Sequence, residues 1–240
     1  MSIKNFKTLL VALGVTIVGI LCVVVDGSIQ TANGWLNNIG CSLIASSVFA
    51  ILNAAYVEYR VEKPVEKWKL TEIFRTRAEK NQDSDPKLHH VKYRIDGVAF
   101  GLRSFRSKHT EPIEDCLRRE VQIRLITMNP SSSFADQRDS EEHENEGNTK
   151  NSINNLVEWA DELNDKGYKG KIEIKGYSCM TLDFYWRVDD DLYIGPYWYG
   201  VPSQQTITMK FIAGGIGFEE YAAYFERLWN DNDIMQKLTK

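Results

Sequence analysis

The rhythm of hydrophobic and polar positions changes twice along the chain. Residues 8–25 (TLLVALGVTIVGILCVVV) and 35–57 (WLNNIGCSLIASSVFAILNAAYV) carry no charge and are separated by a short polar turn around Asp26. At about 1.5 Å of helical rise per residue, these spans of 18 and 23 residues reach roughly 27 and 35 Å, enough to cross a hydrocarbon core of about 30 Å. The pattern predicts a two-helix transmembrane hairpin over residues 1–58. From 58 to 80 the chain turns amphipathic, with Val61, Val65 and Trp68 on one face, Ile73 and Phe74 further on, and Glu, Lys and Arg between them. Pro64 suits a kink or the first turn of a new helix. This reads as a stalk or linker over residues 59–87, closed by the turn-rich NQDSDP at 81–86.

Residues 88–240 form the head, and there the pattern alternates. Strand-like runs at 91–100 and 121–128 flank a helical run at 102–119, which argues for βαβ units on a largely parallel sheet flanked by helices, an α/β domain. A polar, acidic stretch follows at 131–147. A helix is expected over 152–166, with Ile153, Leu156, Val157, Ala160 and Leu163 on one face and Gly167 as its stop. The last third reads as strands at 171–174, 181–188, 191–197 and 206–212, then a closing helix at 218–229.

The first span has a rival reading as a cleaved signal peptide, but 18 apolar residues are long for one, and Asp26-Gly27-Ser28 is a poor cleavage site. Lys4 and Lys7 precede the hairpin, Arg60, Lys63, Lys67 and Lys69 follow it, and its turn has no Lys or Arg. The positive-inside rule then puts both termini and the head on the cytoplasmic side, with Trp35, Tyr56 and Tyr59 as interfacial anchors. A formal charge of -4 gives no global basic signature for nucleic acid. Cys22 and Cys41 lie in the spans, and Cys116 and Cys179 stand apart in the head without metal-ligand spacing. A reducing compartment follows, and neither a metal nor a cofactor is expected.

Within the second span, Ser42, Ser46, Ala50 and Ala54 recur every four residues, a row of small side chains that lets another helix approach closely. The row packs the hairpin's own helices or serves self-association. Asn53, about one turn inside the boundary, is costly toward lipid and needs a partner helix or a water-filled path.

Candidate chemistry in the head is sparse. The loop with Ser131, Ser132 and Ser133 follows a strand where α/β folds bind ligands, and with Arg138 it offers a phosphate contact; turn and N-cap roles are the alternative. Arg103, Arg106 and Lys108, with Arg118 and Arg119, make one helix locally basic, either a contact for a phosphate backbone or a solvated face. Residues 139–146 (DSEEHENE) read as an exposed acidic loop, with His143 too isolated to be a ligand. Alternation would send Tyr197 and Tyr199 to one face and Trp198 to the other, as core or as a stacking surface.

Ile123 to Pro130 (IRLITMNP) with Ser133-Phe134-Ala135, Asp189 to Pro196 (DDDLYIGP), and residues 218–229 together resemble the phospholipase-D-like superfamily. Active members use His-x-Lys-x4-Asp, with His as nucleophile, Lys on the phosphate and Asp orienting the His. Counted back from Asp189, the Lys and His positions hold Phe184 and Leu182; counted from Asp190, they hold Tyr185 and Asp183. Neither register supplies a nucleophile. His90-Val91-Lys92 with Asp96 is a near miss, one residue short. A catalytically vacant head on a two-span anchor resembles the membrane effectors of bacterial antiphage systems, the retron type above all. That resemblance implies a non-enzymatic toxin in the bacterial inner membrane. Its partners would be the lipid bilayer, other copies of the hairpin, and a reverse transcriptase with its DNA-RNA product that keeps it silent. The alternatives are an effector triggered by a cyclic nucleotide, a membrane-bound phosphodiesterase or phospholipase using His90, and an inert scaffold.

Overall fold

A computed structural model describes the chain apart from residues 1, 2, 30–33, 58, 59, 61, 62 and 181, with backbone alone for residues 3–8, 57, 63 and 64. Part of the expected hairpin turn and the anchor Tyr59 thus lie outside the described residues. The chain divides into two compact units, residues 1–67 and 68–240.

In the first unit, α1 (Ile3–Ile29) and α2 (Trp35–Val57) pair as antiparallel helices, each long and apolar enough to cross a membrane. Leu10, Leu13, Ile17, Leu21, Phe49 and Leu52 all stay exposed on this pair, the reverse of a water-soluble hairpin, which turns such side chains inward. A short helix, α3 (Lys63–Trp68), follows.

The second unit is built on one eight-stranded sheet in the order β1-β7-β6-β5-β2-β3-β4-β8. The strands are β1 (Leu70–Phe74), β2 (Arg94–Val98), β3 (Gln122–Met128), β4 (Ile172–Tyr177), β5 (Phe184–Val188), β6 (Asp191–Gly195), β7 (Thr208–Ile212) and β8 (Met235–Lys237). The helices are α4 (Arg77–Ser84), a 3-10 helix (Asp85–His90), α5 (Arg103–Arg118), α6 (Ser133–Glu141), α7 (Asn148–Asp165) and α8 (Ile216–Asn230). The α/β class is as expected, but the sheet is mixed and not largely parallel. Among the described residues, only β2-β3 and β3-β4 run parallel, across helical crossovers; the other five pairings are antiparallel. The cause is connection length: parallel strands need a crossover of a dozen residues or more, whereas β5 and β6 are joined by a tight turn at Asp189 and Asp190.

The stalk expected over 59–87 is not a separate segment. Lys69 adopts φ 48° and ends the helical run, and Leu70–Phe74 then pairs antiparallel with β7 as an edge strand. The α/β unit therefore begins at Trp68 and not at Leu88. Apolar side chains cover both sheet faces. Ile95, Ile123, Leu125, Ile174 and Trp186 meet Leu88, Ile113, Leu117, Leu156 and Ala160 on one side. Ile126, Tyr185, Leu192 and Ile194 meet Phe218, Phe225, Leu228 and Trp229 of α8 on the other.

Candidate functional site

The hairpin interface is made by glycine and hydroxyl groups. Gly19 and Gly40 face each other: a Cβ built on Gly40 would stand 2.6 Å from the Gly19 carbonyl oxygen, and one on Gly19 2.9 Å from the Gly40 oxygen. Their lack of side chains lets the two backbones touch. About one helical turn away on α1 and two on α2, Thr16 Oγ1 lies 2.7 Å from Ser47 Oγ, and each hydroxyl also reaches a carbonyl of its own helix, Ala12 and Ile44, at 2.8 Å. Ser47 is 2% and Ala12 3% exposed.

The row Ser42, Ser46, Ala50, Ala54 does not form one face of this contact. Each four-residue step advances a helix by about 400°, so the row drifts by about 40° per step and about 120° over its length. Ala50 and Ala54 are half-buried while Ser42 and Ser46 are exposed, as is Asn53. The intramolecular seam, Gly40, Ile44 and Ser47, leaves Asn38, Ser42, Ser46, Phe49 and Asn53 on the opposite side of α2.

In the α/β unit, the positions where the phospholipase-D-like pattern would place its catalytic pair lie at the start of β5. Phe184 and Tyr185 are buried, 4% and 1% exposed. Asp189, which would orient a catalytic His, is engaged with the backbone instead. Held at φ 48° in the turn, its carboxylate accepts from the amides of Lys92 at 2.7 Å, Tyr93 at 2.9 Å and Arg94 at 3.1 Å, and so fixes the entry to β2. The near miss does not assemble either. His90 and Lys92 are exposed at the amino end of β2, whereas Asp96 is fully buried and bound in bidentate fashion by Arg124 at 2.7 and 2.9 Å. Arg124 also reaches Glu226 at 2.6 Å. Burial works against that guanidinium's charge, but the two carboxylates outweigh it and raise its pKa.

The carboxyl ends of β2 and β3 gather the remaining candidates. Ser132 Oγ accepts from the Phe134 amide at 3.3 Å as the N-cap of α6, and the Ser131 and Ser132 amides close a turn on Asn129 at 2.9 and 3.0 Å. Ser131 and Ser133 are exposed. Arg138, which was to join them at a phosphate, is turned inward and 2% exposed. It is paired with Glu141 at 3.1 Å and with Glu142, and its guanidinium lies 5.2 Å from the Tyr197 ring and 5.4 Å from Phe100. Glu142 accepts from Ser203 Oγ at 3.0 Å, tying the β6–β7 loop to α6.

A second buried guanidinium, Arg77 of α4, completes the cluster from a segment read as stalk. It lies 4.0 Å from the Phe184 ring and 4.6 Å from Tyr197, and it donates to Thr206 Oγ1 at 2.9 Å and the Pro196 carbonyl at 3.3 Å. Burial pushes its pKa down. Burial pushes the Tyr197 phenol up, with Arg77 and Arg138 pulling the other way. The expected alternation of Tyr197, Trp198 and Tyr199 fails because β6 ends at Gly195: Tyr197 is sandwiched, and Trp198 and Tyr199 are both exposed on the loop.

The basic helix is largely spent on internal contacts. Arg103 donates to Asn148 at 2.7 Å, Arg106 to the carbonyls of Gly101 and Asn155 at 3.2 Å, Arg118 to Asp115 at 2.6 Å, and Arg119 to the Val91 carbonyl at 2.5 Å. Burial lowers the Arg106 pKa, with Arg103 adding to the effect. The acidic stretch is not an open loop at its start: Asp139 is 3% exposed and accepts from the Thr149 amide at 2.8 Å. Among the described residues, no cluster of His, Cys, Asp or Glu is arranged to hold a metal.

No protein-family model and no curated protein matches the chain. Among solved structures, it is similar to TrmBL2, an archaeal chromatin protein, at 10% identity over 80% of this chain and 68% of that one, with a TM-score of 0.42. It is also similar to NucT from Helicobacter pylori, at 11% identity over 70% of this chain and 98% of that one, again with a TM-score of 0.42.

Proposed function

We propose that this protein is a non-enzymatic effector of the bacterial inner membrane, inserted as a two-pass hairpin with both termini and the α/β unit in the cytoplasm, and that it permeabilises the bilayer when its hairpins associate. In the resting state a cytoplasmic partner holds the α/β unit. The resemblance to retron-type effectors makes that partner a reverse transcriptase carrying its DNA-RNA product, within an antiphage defence system.

The observation that carries this reading is the outward side of α2. Ser42, Ser46, Phe49 and Asn53 are exposed there at spacings of four, three and four residues, the repeat of a helix-packing seam. In hydrocarbon an amide such as Asn53 is expensive unless a neighbouring helix satisfies it. The α1 contact uses the opposite side, so a second copy is the occupant this seam calls for.

Inducing the chain alone and following membrane potential tests the reading. Depolarisation is expected, with suppression when the reverse transcriptase and its nucleic acid are co-expressed. A triple variant Ser42→Leu, Ser46→Leu, Asn53→Leu should still insert but no longer depolarise. An intact potential on inducing the natural chain would leave an inert scaffold instead, and undiminished depolarisation by the triple variant would reject packing through this seam.

A further inference from the structure

The α4 helix is docked on the sheet without a single buried apolar side chain: the residues it buries are Arg77, Lys80 and Ser84. We propose that α4 and the 3-10 helix behind it (residues 77–90) form a detachable latch, seated on an aromatic platform through the buried side chains of Arg77 and Lys80, held by ion pairs at its rim, and able to lift while the rest of the α/β unit stays folded. The platform is the row of rings on β5 and β6. Lys80 Nζ lies 5.2 Å from Phe184, 5.3 Å from Trp186 and 5.2 Å from Tyr193, and the Arg77 guanidinium lies over the Phe184 ring at 4.0 Å.

Behind these side chains the latch is fastened by ion pairs. Asp83 accepts from the Tyr193 hydroxyl at 2.5 Å and pairs with Lys210 at 2.8 Å and Lys87 at 2.9 Å, and Lys87 reaches Asp191 at 2.6 Å. Asp85 meets His109 of α5 at 3.0 Å. The 3-10 helix buries Leu88 alone, directly over Cys116, whose thiol donates to the Leu88 carbonyl at 3.2 Å. Fastening by partly solvated ions and cation–ring contacts lacks the large water-exclusion term that holds α5, α7 and α8. Elements with few buried apolar contacts open before the global fold does.

Lys80 adds a proton linkage. Burial lowers its pKa from 10.5 to about 7. Asp85 and Asp83 favour its charge, and Arg77 and Lys87 oppose it; the Tyr193 ring faces it from β6. Once lifted, the ammonium regains its ordinary value, so lifting takes up a proton between pH 7 and 10.5. Opening becomes easier as pH falls through that window and is flat below it.

Hydrogen exchange of the full chain in detergent micelles tests the latch, read as protection factors by segment and paired with the labelling rate of Cys116 located by peptide mass spectrometry. Residues 77–90 should be at least tenfold less protected than β2 and β5, with Cys116 labelling in step and latch protection rising with pH above 7. Lys80→Met should raise latch protection more than tenfold at pH 7.5 and abolish the pH slope. Equal protection of residues 77–90 and of β2 and β5 in the natural chain would overturn the proposal without recourse to any variant. A Lys80→Met variant that loosens the latch would also overturn it.

Discussion

The guanidinium carbon of Arg77 lies 4.0 Å from the centroid of the Phe184 ring. Phe184 stands where the phospholipase-D-like pattern, counted from Asp189, would carry a phosphate-binding lysine. A cation is present at that position after all, but it comes from α4 and is consumed by two rings, a hydroxyl and a carbonyl.

Replacing Arg77 should therefore act on stability. Arg77→Ala removes both hydrogen bonds and both ring contacts and should cost about 3 kcal/mol, measured by denaturant unfolding in micelles; Arg77→Lys should recover part of it. Phe184→Lys, which rebuilds half of the catalytic pattern, sets an ammonium against a buried guanidinium and should destabilise by about 3 kcal/mol or more. A Phe184→Lys variant as stable as the natural chain would show that the Arg77 contact is not made.

The carboxylate of Asp189 organises three consecutive amides at the entry to β2. Asp189→Ala loses these charge-assisted bonds and places a residue with no local hydrogen-bonding side chain at φ 48°, a combined cost of about 3–4 kcal/mol. Asp189→Gly relieves the backbone but not the amides, and Asp189→Asn keeps a weaker acceptor, so both should fall between. Thermal unfolding of the three variants ranks the two effects separately. If Asp189→Gly unfolds no earlier than the natural chain, the amide contacts contribute no more than the backbone relief that glycine brings.

Acid should loosen the same unit through Asp83. Burial alone would raise the pKa of this carboxyl, but Lys210, Tyr193 and Lys87 outweigh burial and hold it below the ordinary carboxylate range. A folded pKa below the unfolded value of 3.8 means the stabilisation is fully present above pH 3.8 and is lost as pH falls toward the folded value. Asp83→Asn should cost about 2 kcal/mol at pH 7 and flatten the acid limb of the stability profile. A variant with an unchanged slope below pH 4 would place the acid sensitivity elsewhere.

How much of this was legible in the sequence depended on what each element buries. α7 shows its stripe of Ile153, Leu156, Ala160 and Leu163 because all four are in the core, and the strand that became β3 is apolar because helices and α8 cover both of its faces. α4 and α6 were missed for one shared reason. Their buried positions are Arg77, Lys80 and Ser84, and Ala135, Arg138 and Asp139, and a buried face made of charges has no hydrophobic period to detect. Both helices meet at Tyr197, so the cluster was invisible as a whole; its faint signal was the aromatic run Tyr197-Trp198-Tyr199. The edge strand β1 was hidden by its burial pattern, in which only Phe74 is fully covered, and β8 by its length of three residues. Sheet direction, by contrast, was open to inference from the tight Asp189-Asp190 turn.

The hairpin supplies a control that sequence spacing alone could not. Gly14, Gly19 and Gly40 look alike as small residues in apolar spans, yet a side chain at Gly14 meets nothing within 4 Å, whereas one at Gly40 collides with the Gly19 carbonyl and with Val23 at 2.6 Å. Backbone atoms cannot swing aside, so Gly40→Leu should separate α1 from α2, with overpacking of about 1–3 kcal/mol as the driving cost. Gly14→Leu should leave the pair intact. Oxidative cross-linking of Thr16→Cys with Ser47→Cys, in chains whose Cys22 and Cys41 are replaced by Ala, reads this in native membranes, because the two hydroxyls lie 2.7 Å apart. The yield should fall several-fold with Gly40→Leu and stay unchanged with Gly14→Leu. Equal loss from both would mean that α1 presents a different face to α2, and the outward seam of Ser42, Ser46 and Asn53 would then have to be assigned afresh.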